Sequence, residues 1–337
     1  MSPGTLESAL AGAVEARYGL ALRFERVGGE VDLNFRGAGD VGRYFLKVSR
    51  RGSEPPADPR LLAYLSDRRP RPSVATPLST RDGALWFDVD PAIALPGPAG
   101  RWCAWLTTLL PGSCPQPDEL GSAERRAVGR ALAELDLALA GTKIVRSVPV
   151  RWDVRRAGDA LLELTGTTPP VAGRDVLAAE LERLRDDVLP RLAELPVQLV
   201  HNDFNKDNIL VEDGRVTGIV DFGDAVYAPR VQDLGTAAAY FCRAPDISET
   251  IGDLVAGYHA VLPLDAGEIA LVPEIARGRC ALALTLARCA AARTNSASHR
   301  AYLLRNEKLT GDRLAALRAA ARDAPSAGRS PVQVSRP

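Results

Sequence analysis

The rhythm of apolar and polar positions divides the chain into a strand-rich first third and a helical remainder. A helical period over Thr5–Arg17, ended by Gly19, comes first. Short apolar runs then predict strands over Leu22–Val27, Val31–Arg36 and Arg43–Ser49. Glu54–Asp67 reads as a short helix with Leu62 and Leu65 on its apolar side. The stretch 68–100, rich in Pro, Gly and Arg, is broken by a strand at Ala84–Phe87. Arg101–Leu110 is a further apolar strand that stops at Pro111-Gly112, and Thr107–Gly112 reads as a hinge whose backbone faces a nucleotide base. Beyond it, Ser122 is placed to cap a helix whose Val128, Leu132, Leu135 and Leu139 share one face, with Gly141 ending it. Helical patterns follow over 151–164, 174–195, 230–243, 246–261, 266–293 and 310–322. No internal repeat is visible, and the composition after Asp323 is that of a disordered tail.

Between the helices at 174–195 and 230–243 the pattern returns to short strands, and here the chain carries its chemistry. Gln198–Val200, Ile209–Val211 and Thr217–Val220 are strand-like, with a hairpin turn at Asp213-Gly214. Asp203 follows His201 by two residues and precedes Asn208 by five, and Asp221 opens an Asp-Phe-Gly thirteen residues later. This is the spacing of a phosphoryl-transfer loop. A carboxylate at 203 suits orienting a hydroxyl and accepting its proton. Asn208 and Asp221 offer the hard oxygen ligands that Mg2+ prefers. Capping of local turns would explain any one of these residues, but not their joint spacing.

Lys47 lies in Tyr44–Val48, which resembles the kinase strand that carries a phosphate-binding lysine. Only four of the 42 basic residues are Lys, so a Lys here stands out. Gly37-Ala38-Gly39-Asp40-Val41-Gly42 matches a dinucleotide-binding glycine pattern but opens a strand, not a helix, and reads as a hairpin connection. Gly28 and Gly29 are better placed as the turn over the phosphates. Asp58 is the candidate partner of Lys47, with Glu54, next to Pro55-Pro56, as the alternative.

Composition narrows the partners. Acidic and basic residues balance at 42 each, which gives no general attraction to nucleic acid or membranes. No apolar run is long enough for a membrane helix, and the N-terminus lacks the pattern of a signal peptide, so a cytoplasmic location is expected. Five scattered Cys without a C-x-x-C pair read as reduced thiols, and three distant His argue against zinc.

The run His201 to Asn208, Asp221-Phe222-Gly223-Asp224, Asp233-Leu234-Gly235 and the segment Leu106–Gly112 resemble the aminoglycoside phosphotransferase and choline kinase-like superfamily. Trp152-Asp153, His201–Asn205, Gly218–Asp224 and Gly257-Tyr258-His259 are most similar to its hydroxylysine kinase branch. The resemblance implies an α+β, bilobal, protein-kinase-like fold with a small antiparallel sheet in the N-lobe and a mainly helical C-lobe. The bounds are then 1–106 for the N-lobe, 107–112 for the hinge, 113–323 for the C-lobe and 324–337 for the tail. It also implies Mg2+, with ATP or GTP as donor. Asp203 becomes the base, Asn208 and Asp221 the metal ligands, and Lys47, Gly28, Gly29, Thr107 and Leu109 the nucleotide contacts. Asp58 supports Lys47, and Asp233 braces the loop through His201. Two departures stand out. Asn202 replaces a Gly, and Asn is the next best residue for a left-handed backbone. The acid expected beside Lys47 is Asp, not Glu.

For the acceptor, Arg277 and Arg288 lie three helical turns apart on one face of 266–293, in apolar surroundings. They suit a clamp on a substrate carboxylate or internal ion pairs to an acid such as Asp233 or Asp253. Asp224 joins them as an acceptor-binding candidate. The expectation is a kinase acting on an amine-bearing metabolite such as a hydroxylated amino acid. Acids over 246–274 keep an aminoglycoside or peptide-antibiotic phosphotransferase as the alternative, and a nucleotide-binding pseudokinase is the third reading.

Overall fold

The computed structural model describes residues 3–28, 32–50, 56–93, 95, 100–117, 120–144, 149–243 and 245–323. Its architecture is α+β, with an antiparallel sheet in the first lobe and helices in the second. Helix α1 (Pro3–Tyr18) precedes β1 (Arg23–Val27), β2 (Leu33–Gly39) and β3 (Gly42–Arg50). Helix α2 (Ala57–Arg68), β4 (Ser73–Val74), β5 (Phe87–Asp88) and β6 (Trp102–Thr108) complete the lobe. The main sheet runs β1-β2-β3-β6-β5, antiparallel throughout. The Gly-rich segment is the β2–β3 hairpin, with Gly39 paired to Gly42. The strand expected at Ala84–Phe87 starts only at Phe87, because Thr80 closes a turn onto the Ala84 carbonyl.

Alternating side chains of β2, β3 and β6 (Leu33, Phe35, Leu46, Val48, Ala104 and Leu106) bury one face of the sheet against Leu10 and Val14 of α1. Helix α2 turns the other way. Its Leu61, Leu62 and Leu65, with Val74 of β4, belong to the core of the helical lobe. Strand β4 pairs in parallel with β9 (Arg215–Ile219), so chain from the first lobe is hydrogen-bonded into the second.

The second lobe is built on α3 (Ser122–Leu139), α4 (Ala157–Gly166), α5 (Arg174–Arg183) and α6 (Leu189–Ala193), then β7 (Val197–Val200), β8 (Ile209–Glu212), β9 and β10 (Val226–Pro229). Helices α7 (Arg230–Phe241), α8 (Ile247–His259), α9 (Ala266–Arg293), α10 (Ala297–Leu303) and α11 (Glu307–Asp323) follow. The stripe Val128, Leu132, Leu135 and Leu139 is buried as its period requires. Gly129 of α3 and Gly257 of α8 let these helices meet backbone to backbone. A Cβ on either would lie 2.0–2.1 Å from a carbonyl oxygen of the partner helix. Ser122 does not cap α3. Gly121 is the N-cap, and the Ser122 hydroxyl donates to Asp253 on α8 at 2.7 Å. Helix α9 starts with a capping box between Asp265 and Glu268. The short α10 was not expected, since no residue in it is buried and it shows no apolar face. Among the described residues, no helix is long and apolar enough to cross a membrane. The expected tail, 324–337, lies outside the described residues.

Candidate active site

The loop between β7 and β8 is held from below by the first turn of α7. Asp233, fully buried, accepts the His201 and Asn202 backbone N–H groups on its two carboxylate oxygens, each at 2.7 Å. Asn202 has φ 64°, the left-handed backbone anticipated for the residue that replaces Gly. Its side-chain oxygen accepts from Gln232 at 3.0 Å, and the same Gln232 nitrogen reaches Asp153 at 3.2 Å. His201 Nδ1 accepts the Asp203 N–H at 3.3 Å, which leaves Nε2 as the protonated nitrogen, donating to the Val220 carbonyl at 3.1 Å. His201 thereby ties the loop to the strand end that leads into Asp221.

Asp203 stands at the centre of this loop. One oxygen accepts from Asn205 Nδ2 and Asn208 Nδ2, both at 3.0 Å. The other accepts from Arg279 NH2 at 3.2 Å. Burial pushes its pKa up, opposed by the positive charge of Arg279 and by His201. The Asn208 amide nitrogen is spent on Asp203, on its carbonyl as well as its carboxylate, so the Asn208 oxygen points away. Asp221 has φ 62° and a half-exposed side chain. The Lys47 ammonium, 2.9 Å away, holds its carboxyl down at about 2. Gly223 makes this approach feasible, since a Cβ there would lie 3.0 Å from Asp221 Oδ1 and 3.6 Å from Lys47 Nζ. The Asn208 oxygen and the Asp221 carboxylate are two hard donors left for a divalent cation, a set that fits Mg2+ beside nucleotide phosphates. Among the described residues, no cluster of three or more His, Cys, Asp or Glu forms a metal cage.

Lys47 projects from β3 between Asn34 and Trp105 of the neighbouring strands. Its ammonium meets Asp221, Asp32 at 3.1 Å and Asp58 at 3.4 Å. Burial alone would lower its pKa, but these three carboxylates raise it well above the ordinary value. Asp32 was missed in the sequence, while Glu54, the alternative to Asp58, lies outside the described residues. So does Gly29. Gly28 is exposed at the end of β1, and its carbonyl accepts from Asn34 at 3.1 Å. Thr107 is buried, with its hydroxyl at 3.5 Å from the Phe45 carbonyl. The Leu109 N–H donates to Arg43 at 3.2 Å, so the first lobe already uses the donor that a hinge would offer to a base.

On the acceptor side the internal ion-pair reading holds for both arginines, with partners other than those expected. Arg277 grips Glu180 with two hydrogen bonds of 2.6 and 2.7 Å. Arg288 binds Glu307 at 2.7 Å and the Ala172 carbonyl at 2.6 Å. Both are internal ion pairs, with neither Asp233 nor Asp253 as partner. The guanidinium brought to Asp203 is that of Arg279, two residues and about 200° of helix further on. It is 1% exposed, donates to the Trp152 carbonyl, and lies 3.1 Å from the Tyr240 hydroxyl. The apolar-surroundings argument applied to Arg279 as well; the 277–288 spacing selected the opposite face. Asp224 is half-buried and close enough to raise the Arg279 pKa. Five of the six acids over 246–274, which a polycationic acceptor would need, are engaged within the protein, while Asp246 is exposed at the start of α8. Glu249 and Asp253 pair with Arg125, Glu268 with Arg230 and Glu274 with Arg183, while Asp265 caps α9.

Residues 25–267 match the family model described as a phosphotransferase enzyme family. The homoserine kinase of Azorhizobium caulinodans is 32% identical over 210 residues, covering 61% of this chain and 60% of that protein. The homoserine kinase of Gluconacetobacter diazotrophicus is 31% identical over 249 residues, covering 70% and 71%. Across eight such relatives the chain spans from 54% to 71% of their length. The fold is similar to that of an amicoumacin kinase solved in complex with AMP-PNP, Ca2+ and Ami. That likeness has a TM-score of 0.66 and 18% identity, over 91% of this chain and 93% of that one.

Proposed function

The chain belongs to the phosphotransferase enzyme family, and from that premise we propose that it is a small-molecule kinase. It transfers the γ-phosphoryl group of ATP or GTP to a hydroxyl of an amine-bearing hydroxy amino acid. One observation carries the reading: Asp203, Asn208, Asp221 and Lys47, up to 174 residues apart in sequence, converge through direct hydrogen bonds and one braced loop.

Asp203 accepts the proton of the acceptor hydroxyl while the hydroxyl oxygen forms its bond to the γ-phosphorus. The bond from that phosphorus to the β–γ bridging oxygen breaks, and the nucleoside diphosphate leaves. There is little covalent work for the protein, so positioning and charge dominate. Asn205 and Asn208 fix the Asp203 carboxylate plane, and Lys47 binds phosphate oxygens. Asn208 and Asp221 would hold Mg2+, which would neutralise the phosphates. Asp224 faces the amine of the acceptor. The relatives named homoserine kinase support a short hydroxy amino acid over hydroxylysine, the longer one that the hydroxylysine kinase resemblance implied. The intramolecular engagement of Glu249, Asp253, Asp265, Glu268 and Glu274 speaks against a polycationic antibiotic.

The test is nucleotide consumption with homoserine, hydroxylysine, choline and aminoglycosides as acceptors, in the wild type and in Asp203→Asn. Turnover on the best acceptor should fall by about 10²–10⁴ in the variant, with nucleotide affinity retained, because a base is lost and not a metal ligand. Near-wild-type turnover by Asp203→Asn would rule the mechanism out.

A further inference from the structure

Helix α11 brings another buried guanidinium to the acceptor side. Arg313 is 6% exposed, and its Nε donates to the Cys242 carbonyl just beyond the end of α7, at 3.1 Å. Among the described residues it has no carboxylate partner; the groups around it are Cys280, Arg243, Cys242 and Tyr240. This sets it apart from Arg277, Arg279 and Arg288, each of which meets an acid. A guanidinium does not shed its proton in a protein, so one buried without an anion is costly to fold around. Burial and the neighbouring Arg243 both press its pKa down, as an uncompensated cation requires. The sealed, unpartnered polar atoms include Arg279 Nε but no atom of Arg313. Among the described residues the Arg313 terminal nitrogens donate to no protein atom, and they therefore carry its residual exposure. The neighbouring Tyr240 hydroxyl is 3.1 Å from Arg279, which in turn touches Asp203. An unpaired guanidinium thus sits behind the base, with the side chains of Tyr240 and Arg279 between the two.

We propose that Arg313 reads the carboxylate of the acceptor and makes the site selective for hydroxy amino acids over amino alcohols. The kinase reading supplies only the position of the hydroxyl, at Asp203. The missing anion is then the substrate's own, and the planar fork of an arginine suits a carboxylate better than an ammonium would.

The experiment is calorimetric titration of the full chain with L-homoserine and hydroxylysine, each against its amide, which keeps hydroxyl and amine but drops the charge. In the wild type the better acid should bind at least about tenfold more tightly than its amide, and in Arg313→Gln the two should come within about twofold. Amide affinity should stay unchanged in the variant, which also reports that it is folded. Arg313→Lys should recover part of the preference. The inference is overturned if neither acid binds, if the wild type treats acid and amide alike, or if Arg313→Gln keeps the preference. It is also overturned if inorganic phosphate binds at Arg313 more tightly than both acids. Should Arg313→Gln not fold, the wild-type comparison and Arg313→Lys decide. Acid-selective, Arg313-dependent binding without phosphoryl transfer would sink the kinase reading alone. Equal turnover of acid and amide would sink the Arg313 assignment alone.

Discussion

Replacing Arg279 with Met takes the counter-charge away from Asp203 while leaving a long apolar side chain in the same slot. The guanidinium nitrogen is 3.2 Å from the Asp203 carboxylate, and the residue is 1% exposed. Two unit charges about 4 Å apart attract by about 4 kcal/mol at an effective dielectric constant near 20. The Asp203 side chain keeps 21% exposure and its two asparagine donors, so the loss stays below that value. The sign follows from the site. Burial already raises the Asp203 pKa and Arg279 opposes it, so removing Arg279 raises it further. A base works when deprotonated, so the acid limb of the kcat profile should move to higher pH. Measured across about pH 5–9, Arg279→Met should lag the wild type at low pH and recover much of its activity above the displaced limb. Asp203→Asn should show no such recovery. A loss in Arg279→Met that is the same at every pH, with the limb unmoved, would refute the electrostatic role and leave Arg279 as packing.

Two further outcomes follow from the same geometry. Asp221→Ala should weaken nucleotide binding only in the presence of Mg2+, as read by calorimetry with and without the metal; unchanged metal-dependent affinity would remove Asp221 from the site. Because Lys47 depresses the Asp221 pKa to about 2, their mutual stabilisation is complete above about pH 4 and is lost as pH falls through that lower value. Asp233→Asn puts an amide N–H against one of two backbone donors, and should lower unfolding free energy by about 2–4 kcal/mol together with kcat. Thermal and denaturant unfolding would check it, and a variant of unchanged stability would contradict the bracing role.

The parts of the site that were legible are those whose geometry is local in the chain. Asp203, Asn208 and Asp221 sit on one strand–loop–hairpin unit, so spacing alone predicts that they meet. Asn202 could be read as left-handed because few residues tolerate that backbone. What escaped depends on how elements dock. Helical period identifies the faces of α9 but not which face turns toward Asp203, and so Arg277 and Arg288 were preferred over Arg279. Ser122 looked like a cap because nothing in its own helix reveals that α8 lies against it through Gly129 and Gly257. The acids over 246–274 looked like a surface for a cationic ligand until α3, α5 and α7 supplied Arg125, Arg183 and Arg230 to them. Asp32 precedes β2, and its meeting with Lys47 depends on the register that sets Leu33 against Val48.

That Lys47 has three carboxylate partners is more than neutralising one ammonium requires, and the excess has a mechanical consequence. Asp221 belongs to the helical lobe, while Asp32 and Asp58 belong to the first. In the proposed mechanism Asp221 would turn to a metal ion and Lys47 to phosphate oxygens, and the 2.9 Å bridge between lobes would exchange for contacts through the nucleotide. Asp32 and Asp58 then remain to hold the ammonium in place, so the lysine need not be reordered as the bridge is lost. Asp58 is shorter than the Glu usual at this position and reaches only 3.4 Å, whereas Asp32 stands at 3.1 Å. The second aspartate therefore makes up for the shortness of the first, and the departure from Glu in α2 leaves the lysine no less well held.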